Sequence, residues 1–252
     1  MSSQQSVIAG TTAQRCHVLR PRRRSESRGF TLMEALVGLL ILTVVTAAIF
    51  SELNQVQKAS ASEATKLDLT QQAREFADQM VRDLHMTGYP RPDMYSPALA
   101  VSNPLVAAGL VKVSPAEILL EGDVETSGTV DSVDIQYVAA DPNDPNCPCI
   151  RRTETPKVNA GPLAQPPAPA NAISTQVEHV MDPGQSGEDL FTFFDKNGNA
   201  VNVGAGLDMS NPLINSIETV KINLNLLSPN IDPMTRLPQR IALSVTGHLN
   251  NN

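Results

Sequence analysis

The chain has 252 residues, of which 41% are hydrophobic and 18% charged, with a formal net charge of −7 and three cysteines. That length and apolar content suit one domain with a buried core plus a single membrane segment, and they exclude a bundle of transmembrane helices. Charge is uneven: residues 1–29 hold six arginines and one acid, and the rest holds 13 basic and 25 acidic side chains, a surface that repels phosphate backbones and makes nucleic acid a poor default partner.

The first element in chain order is an apolar run, Phe30–Phe50, whose only charge is Glu34. As a helix, 21 residues span about 30 Å, the thickness of a bilayer core. Arginines at 22, 23, 24 and 28 precede it, so the positive-inside rule places the N-terminus in the cytoplasm and everything after Phe50 outside. The run is longer than a secretory signal core, and no A-x-A site closes it before Glu52. A twin-arginine signal wants an apolar pair soon after the arginines, where Ser25-Glu26-Ser27 stand instead. An ordinary anchor explains the length but not Glu34, since a carboxylate in lipid costs about 2.5–3.5 kcal/mol at mid-bilayer and less near an end.

Arg28-Gly29-Phe30-Thr31-Leu32-Met33-Glu34 resembles the processing motif of the type IV pilin and pseudopilin superfamily. The resemblance implies cleavage by prepilin peptidase after Gly29, N-methylation of Phe30 as the new terminus, and an assembly role for Glu34 as the fifth mature residue. Residues 1–29 would then be a basic leader. Its partners would be the peptidase, other pilins or pseudopilins, and an inner-membrane assembly platform. The residues make that chemistry intelligible. Glycine lets the backbone enter a protease cleft, the freed amine stays positive after methylation, and an ammonium among apolar side chains needs a counter-ion. In the family, the glutamate of an incoming subunit serves its neighbour's amine in that way.

Helical character continues past the membrane segment, with no proline or glycine from Ser51 to Met86. Ala73, Phe76, Ala77, Met80, Val81 and Leu84 make one apolar stripe, and Gly88 and Pro90 end the helix. Residues 89–115, rich in proline and small side chains, read as an irregular connector. Half-buried strands follow at 133–137, 220–226 and 241–249, with further strands at 117–121, 150–155, 177–180, 190–194 and 200–203. The stretch 161–172, GPLAQPPAPANA, reads as a Pro/Ala-rich loop. Gln71–Tyr89 and the terminal strands resemble the larger minor pilins of the PilW type and the J-type pseudopilins. Abundant pilins often close a C-terminal loop with two well-separated cysteines, which this chain lacks.

Cys147-Pro148-Cys149 leaves three readings open: a local disulfide, free thiols, or redox or metal chemistry. Asp195-Lys196-Asn197-Gly198-Asn199 offers turn oxygens but lacks the terminal glutamate of an EF-hand loop, so it reads as a hairpin. Gly184-Gln185-Ser186-Gly187 is no nucleophile elbow, and His85, His179 and His248 are dispersed. No catalytic, cofactor or metal constellation emerges, and the chain reads as a non-enzyme.

The expectation is therefore an α+β protein. A long N-terminal helix spans the membrane over residues 30–50, continues amphipathically over 51–88 and packs on an antiparallel β domain over 89–252. The function expected is that of a minor type IV pilin, processed and assembled into, or capping, a filament that starts in the inner membrane. The alternatives are a type II secretion pseudopilin and a membrane-anchored periplasmic enzyme or binding domain.

Overall fold

A computed structural model describes residues 29–158, 161–162, 172–232 and 235–250. The chain divides into two compact units between Ser51 and Glu52. One helix, α1 (Leu32–Met86), carries residues of both.

In the second unit α1 presents Leu69, Ala73, Phe76, Ala77, Met80 and Leu84 to the core. Val81, at the rim of the stripe, is only half-buried. The helix ends where the sequence says it should, with Gly88 in the left-handed region at φ 79°, a conformation glycine adopts without cost. The chain then zips onto a strand: Gly88 N donates to Glu121 O at 2.9 Å, and Asp123 N donates to Tyr89 O at 2.9 Å.

Ten strands follow: β1 (Gly109–Ser114), β2 (Glu117–Gly122), β3 (Asp131–Val138), β4 (Cys149–Pro156), β5 (Ile173–Glu178), β6 (Phe191–Phe194), β7 (Ala200–Val201), β8 (Leu207–Asp208), β9 (Thr219–Ile231) and β10 (Pro238–His248). They form two antiparallel sheets, one ordered β5-β4-β3-β2-β1-β8 and the other β10-β9-β6-β7, where the sequence reading expected a single sheet. Strand β9 links them. Along one edge it pairs with β10. Along the other it pairs first with β6 and then, through the Val180–Leu226 bridge, with the chain leaving β5.

The connector differs from its sequence reading. Residues 109–114 form β1 and are mostly buried, so GLVKVS lacks the polar alternation that marks a half-wet strand. Strand β5 begins earlier than expected, at Ile173. Gly247 lies inside β10 and does not interrupt it. A Cβ at Gly247 would stand 2.6 Å from Leu84 Cδ1, so the missing side chain is what lets the helix seat. Most of the Pro/Ala-rich stretch, residues 163–171, and residues 1–28 of the expected leader 1–29 lie outside the described residues.

A buried ion pair pins the connector. Lys157, just past β4, donates from Nζ to Glu121 Oε2 at 2.5 Å, to Val101 O at 2.6 Å and to Val106 O at 2.8 Å. Those three bonds use all the donors an ammonium has. Glu121 Oε2 also accepts from Ala108 N at 3.0 Å. Lys157→Met would take from buried Glu121 the ammonium that pairs with it, and should lower unfolding stability by about 3–5 kcal/mol in urea titrations. Adding Glu121→Leu should recover part of that loss, because an apolar pair carries no such desolvation cost.

Candidate functional site

The N-terminal site is built from backbone groups at the start of α1. Gly29 and Phe30 precede the helix, and Phe30 is 77% exposed. Thr31 caps it: Glu34 N lies 3.0 Å from Thr31 O and 3.3 Å from Thr31 Oγ1. Glu34 therefore falls in the first helical turn, where the partial positive charge of the helix end favours a carboxylate. Further along, Thr43 Oγ1 donates to Leu40 O at 2.8 Å and Thr46 Oγ1 to Leu42 O at 2.6 Å. Hydroxyls in this apolar stretch are thus satisfied within the helix itself, as a hydrocarbon surrounding demands.

The apolar window of α1 has a mean hydropathy of 2.4, none of it buried within the chain. Leu36, Leu39, Leu40, Leu42 and Val44 are all more than half exposed. So much contiguous apolar surface needs lipid or another helix over it. A family model described as the prokaryotic N-terminal methylation motif matches residues 24–50. This chain carries a type IV pilin-like methylation motif. No curated protein and no solved structure matches the chain. The motif marks a pilin- or pseudopilin-like precursor and implies processing by prepilin peptidase and association with the membrane. The family that bears it is structural and not enzymatic.

The second unit holds a charge cluster that the sequence reading missed. Asp83 on α1 is fully buried, with Arg152 and Glu154 on β4 at 2% and 7% exposure. Arg152 reaches Asp83 Oδ2 from Nε at 2.5 Å and Oδ1 from Nη2 at 3.1 Å, while Nη1 lies 2.7 Å from Glu154 Oε2. Gln79 Nε2 adds a bond to Asp83 Oδ1 at 3.0 Å. Burial pulls Arg152 down, but the hydrogen bonds and charges of Asp83 and Glu154 outweigh it and hold the guanidinium above its ordinary value. Burial pushes Asp83 up, and Arg152 offsets only part of that rise. The signals were present in the sequence. Asp83 is seven residues from Phe76 and so lies on the apolar stripe, and Arg152 and Glu154 alternate with Ile150 on one strand face.

Cys147 and Cys149 are joined by a disulfide with Cα atoms 4.4 Å apart. The Arg151 guanidinium lies 3.7 Å from Cys147 Sγ and is paired with Asp144. Asp195 folds the β6–β7 turn: its Oδ1 accepts from Asn197 N and Asn199 N, each at 2.8 Å. Those bonds, led by the contacts with Asn199, hold its carboxyl below the ordinary range. His248 Nδ1 pairs with Thr219 Oγ1 at 2.9 Å. Gly184–Ser186 belong to a one-turn helix, Pro183–Ser186. Among the described residues no group of three or more His, Cys, Asp or Glu side chains is placed to hold a metal ion.

Asp131 on β3 is 6% exposed, and its Oδ2 has no hydrogen-bond partner among the described residues. Burial, then the charges of Glu154, Glu125 and Asp123, push its carboxyl up to about 7. Burial and Glu117 push Asp134 up to about 6. An unfolded aspartate titrates near 4. Between about pH 4 and 7 the folded chain therefore holds more protons than the unfolded one, and these groups cost stability as pH rises through that window. Asp131→Asn should flatten the decline in melting temperature between pH 4.5 and 7.5 and raise it at the upper end, as read by thermal circular dichroism.

Proposed function

We propose that the chain is a minor type IV pilin subunit. Prepilin peptidase cuts it between Gly29 and Phe30, Phe30 is N-methylated, and α1 packs among the helices of neighbouring subunits in a filament that starts in the inner membrane. The observation that carries this reading is the methylation motif over residues 24–50, which takes in the apolar run Phe30–Phe50 whose only charge is Glu34.

Glu34 gives the reading its mechanism. A carboxylate alone in lipid is costly, and so is a terminal ammonium. Bringing the two together from adjacent subunits removes both penalties, which turns an unfavourable residue into a driving force for assembly. The second unit then sets contacts on the filament surface or tip. The charge layout supports export of that unit, with basic residues before the apolar run and an acidic remainder after it.

Intact mass of the protein from its own cells should show a chain beginning at a methylated Phe30. Gly29→Leu should leave uncut precursor, since the side chain blocks backbone entry to the protease. Glu34→Lys should be cut normally yet fail to enter sheared filaments. A chain that keeps Arg28 while performing its normal role would overturn the proposal.

A further inference from the structure

A cleft of about 500 Å³ opens between α1 and the outer edge of β5. Glu75, Phe76 and Gln79 line it from the helix, Glu154 and Thr175 from the sheet, and Glu125 from the β2–β3 loop. Strand β5 is the last of its sheet, so alternate residues of Ile173–Glu178 turn backbone N–H and C=O groups away from β4. Among the described residues no strand pairs with that edge. Directly beyond it the chain does accept a partner there: Met181 N donates to Asn225 O at 2.7 Å and Leu227 N to His179 O at 2.9 Å, while Val180 N still bonds back to Pro148 O at 3.1 Å.

The strand registers show what a segment added at this edge would meet. Val133, Glu154 and Ile173 lie in one cross-strand row, and Ile135, Arg152 and Thr175 in the next. Both rows face the helix, because Arg152 reaches Asp83. An added strand would continue these rows and place its alternate side chains over the cleft.

The charge there is unbalanced. Arg152 is bound by Asp83 and Glu154, and Arg82 donates to Gln79 Oε1 at 2.6 Å. Against those two guanidinium groups stand the carboxyls of Glu75, Asp83, Glu125 and Glu154. We infer that this cleft and the β5 edge form an acceptor site for an extended peptide segment of a partner protein, which pairs with β5 as an added strand and sets a lysine or arginine side chain among Glu75, Glu125 and Glu154. Main-chain bonds would supply the affinity and the acidic pocket the selectivity, the usual division in strand addition.

Fluorescein-labelled heptapeptides of alternating threonine and valine, with a central lysine, glutamate or proline, test this against the full chain in detergent micelles. The lysine peptide should bind saturably and about tenfold tighter than the glutamate peptide, and the proline peptide should not bind, since it cannot complete the ladder. Binding should slow amide hydrogen exchange in residues 173–178. Glu75→Lys, a change at an exposed helix position, should weaken the lysine peptide and strengthen the glutamate one without altering the melting temperature. No saturation at millimolar lysine peptide, equal binding of the two charged peptides, or protection confined to β10 would overturn the inference. So would protection of residues 173–178 in the free protein that disappears on dilution, because a second copy would then already fill the edge.

Discussion

The two-point ion pair between Asp83 and Arg152 fixes where the helix lies on the sheets of the second unit. Apolar contacts along α1 are many and interchangeable, and a slide by one turn would still bury aliphatic surface. The guanidinium fork permits no such slide, because its geometry meets a carboxylate in one orientation. A well-packed apolar pair would hold the helix as firmly, so what the charges add is register and not raw stability. Three other fits depend on that register. Leu84 lies over the bare backbone of Gly247. The Met86 carbonyl occupies the place where Gly122 would otherwise carry a Cβ. Thr87 bridges to Gly122.

The two parts of the chain obey opposite rules of solvation. Over the apolar run the side chains are exposed hydrocarbon, and the polar atoms of Thr43 and Thr46 turn back into the helix. In the second unit hydrocarbon is inside, and the buried charges Asp83, Arg152, Glu121 and Lys157 are paired. Asp131 departs from this pattern: a buried carboxyl crowded by other acids gives up its charge near neutrality and does not seek a partner. Glu34 departs from the first rule as the one acidic side chain of the exposed apolar run.

Much of this was legible in the sequence, for identifiable reasons. The methylation motif over residues 24–50 stands out because basic residues, a small residue and a lone acid in a long apolar run seldom coincide. Strands β3, β9 and β10 alternate cleanly because each has a polar face, and the end of α1 is written in Gly88 and Pro90. What escaped were features settled by distant neighbours. GLVKVS became β1 because β2 and β8 flank it, and no local pattern marks a strand covered on both faces. The pairing of Asp83 with Arg152 joins residues far apart in the chain, and the division into two sheets follows from β9 sharing its edge between β6 and the residues after β5.

The seating of Leu84 against Gly247 has a consequence for the order of events during biogenesis. A ribosome makes α1 early and β10 late, yet the helix reaches its final bed only when β10 arrives. Until then Leu84 lacks the surface that it packs against in the finished domain. Contacts this distant along the chain fold slowly. Docking of the C-terminal end of α1 is therefore completed only after the ribosome has made β10, the last strand among the described residues.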